Sequence, residues 1–297
     1  MLTRQQSTRR ELLAGSLALA GLSGLAKTAD RSGAWKIGCY TRPWDEHDYR
    51  VALDGIAEAG YRYAGLMTHK GKSWVIITID TAIEEAAAIG EEVRKRGLET
   101  ISVYGGSFPV EKGVAAGVEG LKRLIDNTAA CRSPGLLLGG TGKAALVEPY
   151  FQVVAECCGY AAERGVSLTI KPHGGANATG AECRKLVEGV GHRNLRIWYD
   201  PGNILFYSEG KIDPVTDVAS ADGLIAGMSI KDFRPPKDVM VTPGNGKVDF
   251  PKVLARARQG GFTQGPLVVE CLEKGDAASV TAEARRTRLF LEKLTGK

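Results

Sequence analysis

Residues 160–173 read YAAERGVSLTIKPH, and this stretch holds the pattern that decides the fold. It starts as the end of a one-sided helix, whose apolar residues recur at intervals of three and four: Val147, Tyr150, Phe151, Val154, Cys158 and Ala161. Gly165 then stands where a helix cap needs a positive φ. An apolar run over 166–171 predicts a buried strand, which Pro172 ends because proline cannot donate to a sheet ladder.

The same junction recurs along the chain. Eight strands are predicted, over residues 35–40, 61–67, 99–104, 135–139, 166–171, 195–200, 227–231 and 266–271. Strands that alternate with helices are typical of a parallel sheet, and eight of them favour a closed (β/α)8 TIM barrel over a doubly wound open sheet. No Gly-x-Gly-x-x-Gly motif follows the first strand, as a dinucleotide site would require. The 297 residues suffice for one such barrel.

Residues 1–30 have the features of a twin-arginine export signal. Arg9 and Arg10 precede an apolar run over 12–26 that carries no charge until Lys27. That run of about 15 residues is shorter than the roughly 20 that a membrane-spanning helix needs. We therefore predict an exported, periplasmic protein with its barrel over 31–297 and no membrane attachment once the signal is removed.

Composition excludes several classes of partner and site. The formal net charge is +5, but residues 1–30 carry +2 of it, and the remaining basic residues form no stripe or nucleic-acid motif. No nucleic acid partner is expected. The six cysteines have no zinc spacing, and we expect them to be buried free thiols: Cys39, Cys131, Cys157, Cys158, Cys183 and Cys271.

Polar residues end the last four predicted strands, where a barrel builds its active site. The fifth strand ends in Lys171 and His173, the sixth in Asp200, the seventh in Lys231 and the eighth in Glu270. Packing inside the barrel does not account for polar groups on that rim. The rim therefore predicts a ligand or catalytic site.

The order and spacing of four segments resemble the xylose isomerase-like TIM-barrel family, a superfamily of sugar isomerases and epimerases. The segments are Asp200-Pro201-Gly202-Asn203, Ile230-Lys231-Asp232, residues 243–250 (PGNGKVDF) and Val268-Val269-Glu270. The resemblance covers essentially all of residues 35–297. It implies that Asp249 caps the seventh barrel helix and that a small-molecule carbohydrate is the ligand.

The resemblance also implies a divalent metal held by a Glu, an Asp, a His and a Glu. Position by position these become Lys171, Asp200, Ser229 and Glu270. A lysine ammonium repels a divalent ion and a serine hydroxyl is a weak ligand, so no metal is expected in the standard arrangement. An alternative site with rearranged ligands is Asp200, Glu270 and His173.

An ammonium group in place of the metal gives the predicted site its chemistry. Glu270 is the candidate proton acceptor, Lys171 an electrophile, base or imine-forming amine, and Asp200 an orienting group. Five residues are candidates for substrate contact: His173, Asn203, Lys231, Tyr104 and Arg42. Arg234 is a further cation on the rim that, with Lys231, could reach an anionic or oxygen-rich group of the ligand. Lys171 is alternatively a structural ion-pair partner, and Lys231 with Asp232 a salt bridge on the rim.

The function predicted from these residues is a carbohydrate-acting isomerase or epimerase that moves a proton next to a sugar carbonyl. Two alternatives stay open: a catalytically degenerate barrel that binds sugar without turnover, and a sugar lyase on the same scaffold. A periplasmic location favours an unphosphorylated sugar as the substrate. The sequence names neither the sugar nor the oligomeric state.

Overall fold

Eight parallel strands pair in sequence order and close into a barrel in this computed structural model, which describes residues 35–296. They are β1 (Trp35–Tyr40), β2 (Tyr63–Leu66), β3 (Glu99–Tyr104), β4 (Gly135–Leu138), β5 (Ser167–Ile170), β6 (Leu195–Tyr199), β7 (Ile225–Ile230) and β8 (Gly265–Val269). Pairing of β1 with β8, with Ile37 opposite Leu267, closes the ring. The predicted TIM barrel is confirmed, and each strand lies within about two residues of its predicted bounds.

Helices follow the strands and cover the outside of the sheet. They are α1 (Tyr49–Glu58), α2 (Ile83–Lys95), α3 (Val114–Ala130), α4 (Val147–Glu163), α5 (Gly180–Val190), α6 (Pro201–Tyr207), α7 (Pro214–Asp217), α8 (Phe250–Gln259) and α9 (Ala277–Thr295). Gly165 has a φ of 69° between α4 and β5, a conformation that costs a residue with a side chain about 1 kcal/mol or more. The predicted helix cap at this junction is confirmed.

Apolar residues form two layers, one on each side of the sheet. The outer layer packs the helices on the strands. The inner layer fills the barrel with Tyr40, Met67, Ile101, Leu137, Trp198 and Val268. Side chains two residues apart on a strand face the same way. Asp200 and Glu270 each lie two residues beyond an inner-layer residue, so they face the barrel interior at its C-terminal mouth.

Asp232 organises the long loop after β7. Its carboxylate accepts hydrogen bonds from four backbone N–H groups at 2.8–3.0 Å, those of Phe233, Gly244, Gly246 and Val248. The alternative of a rim salt bridge between Lys231 and Asp232 is wrong, because Asp232 is committed to this loop. The predicted cap is confirmed, since Asp249 accepts from the Lys252 amide at 3.0 Å and starts α8.

Three further sequence predictions concern cysteines, membranes and export. All six cysteines are buried free thiols, as expected. Within residues 35–296, no helix has the length and apolarity needed to cross a membrane. The predicted export signal, residues 1–30, lies outside the described residues.

Candidate active site

Two ammonium groups and two carboxylates form a buried ion cluster at the C-terminal mouth of the barrel. Lys171 Nζ lies 2.9 Å from both carboxylate oxygens of Glu270 and 3.2 Å from Asp200 Oδ2. Lys231 Nζ lies 2.6 Å from Glu270 Oε1 and 3.2 Å from Asp200 Oδ2. None of the four side chains is more than 3% exposed. These four residues are called the ion cluster below.

The ion cluster follows from the topology of the barrel. Its members Lys171, Asp200, Lys231 and Glu270 are each the first residue after β5, β6, β7 and β8, respectively. The carboxyl ends of parallel strands lie at one end of the barrel, and its closure sets β5 and β8 on the same mouth. Long lysine side chains can then span the mouth to reach the opposite carboxylate.

Arg42 and Ser229 complete the contacts of Glu270. Arg42 Nη1 donates to Glu270 Oε1 at 3.1 Å, and Ser229 Oγ donates to Glu270 Oε2 at 2.6 Å. Trp198 Nε1 in turn donates to Ser229 Oγ at 3.1 Å, which orients the hydroxyl. The sequence treated Ser229 only as a lost metal ligand and missed this contact. Its position two residues before Lys231 was the available signal.

Positive charge exceeds negative charge in this mouth. Three cations, Arg42, Lys171 and Lys231, face the two carboxylates. Burial alone raises the pKa of Glu270, but the charges of Lys171, Lys231 and Arg42 outweigh burial and hold that pKa well below its ordinary value. Burial lowers the pKa of Lys231, but Asp200 and Glu270 reverse this and raise it. The site therefore has one excess positive charge to offer a developing anion.

Asn203 holds Lys231 in place from the first turn of α6. Its Oδ1 accepts from Lys231 Nζ at 3.0 Å, and its Nδ2 donates to the Pro172 carbonyl at 2.7 Å. Its backbone N–H donates to Asp200 Oδ1 at 2.9 Å, so that Asp200 also caps the helix. Both ends of the side-chain amide are engaged by the protein. Asn203 thus positions Lys231, and the substrate contact predicted for it stays a prediction.

His173, Tyr104 and Tyr207 surround the mouth above the ion cluster. The His173 ring is exposed at the rim, with its centroid 5.6 Å from that of Tyr207. Burial of its inner side, followed by the charges of Lys171 and Lys231, lowers the pKa of the imidazole well below its ordinary value. His173 is therefore neutral near pH 7 and can both donate and accept hydrogen bonds. Tyr207 was not predicted, because it follows no strand.

An open cleft of about 560 Å³ adjoins this mouth. Tyr104 and His173 line it together with Trp74, whose side chain is 59% exposed. Trp74 lies in the loop after β2, at the end of the barrel where active sites are built. The tryptophan itself was missed. Arg234, the further cation predicted on the rim, instead pairs with Asp238 and Glu273 at the surface.

The family model for the xylose isomerase-like TIM barrel matches residues 53–294. This chain belongs to that family. The resemblance stated from the strand ends is thereby confirmed for most of the barrel. No protein of curated function matches the sequence.

Solved structures with the same fold include two sugar epimerases. The D-allulose 3-epimerase from Methylomonas sp. in complex with D-allulose is 16% identical, with a TM-score of 0.69 over 88% of this chain and 97% of that one. The 3-keto-D-glucoside 4-epimerase from E. coli is 15% identical, with a TM-score of 0.63 over 86% and 99%. A xylose isomerase domain protein from Planctomyces limnophilus is 18% identical, with a TM-score of 0.68 over 88% of this chain and 97% of that one. At these identities the likeness concerns the fold.

The donor set in the mouth does not fit the divalent metal that the family implies. Lys171 occupies one ligand position and directs its ammonium group at both remaining carboxylates. Ser229 occupies another ligand position, and its hydroxyl donates a hydrogen bond to Glu270. In the part of the chain that the structure describes, no three His, Cys, Asp or Glu side chains form a group able to hold a metal. Asp200, Glu270 and His173, the alternative ligand set, form no such group.

Proposed function

We propose that this chain is a carbohydrate-acting isomerase or epimerase that moves a proton on the carbon next to a sugar carbonyl. Membership of the xylose isomerase-like family supports a sugar ligand. The observation that carries the mechanism is the position of Lys171 Nζ between Asp200 and Glu270. Buried fixed charge at a barrel mouth is an arrangement that stabilises charge developing in a transition state.

In the proposed step, Glu270 takes the proton from the carbon beside the carbonyl. The electron pair of the broken C–H bond moves to the carbonyl oxygen and gives an enediolate. Its negative oxygen takes over hydrogen bonds from Lys171 and Lys231, which releases Glu270 from those cations and raises its basicity as the proton arrives. Return of the proton to the neighbouring carbon, with transfer of the hydroxyl proton between the two enediolate oxygens, gives the isomer. Delivery of a solvent proton to the other face of the same carbon, with loss of the first proton from Glu270 to solvent, gives the epimer.

The geometry favours an electrophilic role for Lys171 over the imine chemistry considered from the sequence. An imine requires a neutral amine that can reach the substrate carbonyl. Lys171 is 2% exposed, and its Nζ has three carboxylate oxygens within 3.2 Å. The amine donates its hydrogen bonds to those carboxylate oxygens instead of presenting a lone pair to a carbonyl.

One observation favours the second candidate, a barrel that binds sugar without turnover. Both oxygens of Glu270 are already engaged, and three cations lower its pKa, so it is a weak base until substrate binds. The two candidates differ in whether a substrate hydrogen exchanges with solvent. A protein that only binds the sugar leaves its C–H hydrogens in place, whereas the proposed enzyme exchanges one of them with solvent.

The deciding experiment incubates the protein with ketopentoses and ketohexoses in D2O and follows the sugars by NMR. We expect deuterium at the carbon next to the carbonyl. Glu270→Gln should reduce exchange by about 10³-fold, since it removes the proton acceptor. Glu273→Gln is the matched control, because Glu273 lies on the same rim, outside the ion cluster, and pairs with Arg234 at the surface. Sugar binding without exchange by the unaltered protein selects the second candidate.

We also propose that the protein is exported through its twin-arginine segment. The support is Arg9-Arg10 followed by the uncharged run over 12–26. Replacing both arginines by lysine keeps the charge and should retain the protein in the cytoplasm. Fractionation of cells expressing the two forms measures this, and periplasmic recovery of the lysine form contradicts it.

A further inference from the structure

We propose that the cleft beside the ion cluster is a second sugar subsite and that the substrate is a neutral disaccharide or glycoside. The reacting unit lies over Lys171, and the second ring stacks on Trp74. The inference rests on the proposed function only in placing a sugar in the barrel mouth. It adds the substrate class.

The cleft shares Tyr104 and His173 with the rim of the mouth and offers room beyond it. Tyr104 and His173 line the cleft and also lie within the electrostatic influence of Glu270. No member of the ion cluster lines its volume of about 560 Å³. Clefts of this size hold ligands larger than a single small ring. A sugar bound at the ion cluster can therefore extend past Tyr104 and His173 into this space.

Trp74 supplies an aromatic surface on a loop that is held in place. Among the described residues it is the most exposed of the large hydrophobic side chains, at 59%. Its carbonyl accepts from the His69 amide at 3.0 Å, and the adjacent Val75 is buried and paired with Thr68. An exposed indole on an anchored turn presents a broad apolar face, which suits the C–H face of a pyranose ring.

Part of the cleft wall is backbone with little side-chain cover. Five glycines line it: Gly105, Gly106, Gly139, Gly140 and Gly142. Gly140 has a φ of 83°, and a Cβ there would lie 2.5 Å from Asn177 Oδ1. Asn177 donates to the carbonyls of Gly139 and Lys171, at 3.0 and 2.7 Å. The glycine wall is thus built into the fold and tied to the ion cluster.

The charges of the cleft favour a neutral sugar over a phosphorylated one. Neither lysine nor arginine lines it, and its one carboxylate is that of Asp80. Phosphate groups are bound by Arg, Lys or helix N-termini, which this cleft lacks among the residues described. Asp80, Thr78 and Ser107 are instead hydrogen-bonding partners for hydroxyl groups.

The test compares D-fructose with two neutral ketose disaccharides, maltulose and lactulose, by isothermal titration calorimetry. We expect at least one disaccharide to bind about tenfold more tightly than fructose, from the apolar area that a second ring shields. Trp74→Ala should reduce that preference about tenfold, and Trp74→Phe should restore most of it. Leu289→Ala is the matched control, since Leu289 is 53% exposed and does not line the cleft. It should leave the preference unchanged.

Acrylamide quenching provides a second readout, because the other three tryptophans, Trp35, Trp44 and Trp198, are at most 7% exposed. Disaccharide binding should protect the quenchable fluorescence, which Trp74→Phe removes. Absence of any disaccharide preference, or an equal loss for fructose and disaccharide in Trp74→Ala, overturns the subsite. Proton exchange on fructose without that preference leaves the proposed function standing alone. A preference for disaccharide without proton exchange contradicts the proposed function but leaves the subsite standing.

Discussion

The ammonium nitrogen of Lys171 lies 2.9 Å from both carboxylate oxygens of Glu270, a residue 99 positions further along the chain. The same nitrogen contacts Asp200, so one side chain neutralises the two carboxylates that a divalent ion would otherwise hold together. Lys231 and Arg42 add further positive charge on Glu270. The mouth of this barrel is stabilised by the charges of the protein itself.

Replacing Lys171 by Met should destabilise the protein by about 3–5 kcal/mol. The change leaves two buried carboxylates with less compensation, and an uncompensated buried charge is costly. Denaturant unfolding followed by circular dichroism measures the loss. Lys252→Met serves as control, because Lys252 pairs with Asp249 at the surface and should change stability by less than about 1 kcal/mol. Equal effects of the two variants would contradict the proposed role of the ion cluster.

Chelation should leave the unaltered protein unchanged in melting temperature and in proton exchange. Lys171→Glu combined with Ser229→His supplies the four ligand types that the family resemblance implies. We expect the melting temperature of this double variant to rise with Mn²⁺ concentration, because a ligand that binds only the folded state stabilises it by mass action. Ser229→His alone should show no such rise. A chelator-sensitive unaltered protein would refute the replacement of a metal by Lys171.

Stability should be highest between about pH 6.5 and pH 8.5 and fall on both sides. Below that window the lowered pKa of His173 means that the unfolded state takes up a proton first, and above it the raised pKa of buried thiols such as Cys39 means that the unfolded state ionises first. The ion cluster adds its own limits further out. The pKa of Glu270 is lowered by folding, so its contribution is present above the unfolded value of about 4.3 and is lost as pH falls through the lowered pKa. The pKa of Lys231 is raised, so its contribution is complete below about pH 10.4 and is lost as pH rises through the raised pKa. Unfolding free energies across pH measure both limits, and a maximum confined to acid would oppose this assignment.

Asp232→Ala should cost about 2–4 kcal/mol. It leaves four backbone N–H groups of the loop after β7 without their acceptor. The cap variant Asp249→Ala removes one such bond in the same region and should cost about 1 kcal/mol. Urea unfolding of the two variants compares these costs. A smaller loss for Asp232→Ala than for Asp249→Ala would show that the loop does not depend on this carboxylate.

The sequence predicted the barrel and its polar strand ends well, because both follow from patterns among a few neighbouring residues. An apolar run bounded by a glycine and a proline defines a strand within a few residues, as residues 160–173 illustrate. Polar residues just after such runs, including Lys171 and Glu270, were then placed on one rim by the parallel topology. The family resemblance placed Asp249 at the start of α8.

Partners of those side chains were harder to predict, because they depend on reach across the barrel. Lys231 was expected on the rim, yet it spans the mouth to Asp200 and Glu270. Asn203 was expected to contact substrate, yet both ends of its amide are engaged by protein atoms. Spacing along the chain says which way a side chain faces but not what lies opposite.

By itself, then, the sequence determined eight strands, their parallel order and the polar residues at their ends. Those features follow from periodicity, turn chemistry and residue type, which act over a few neighbouring positions. Only the tertiary structure decided that three cations and a serine hydroxyl meet on Glu270 and that Trp74 lines a cleft beside them. Barrel closure brings distant strand ends and loops within hydrogen-bonding distance, and no local pattern records those distances.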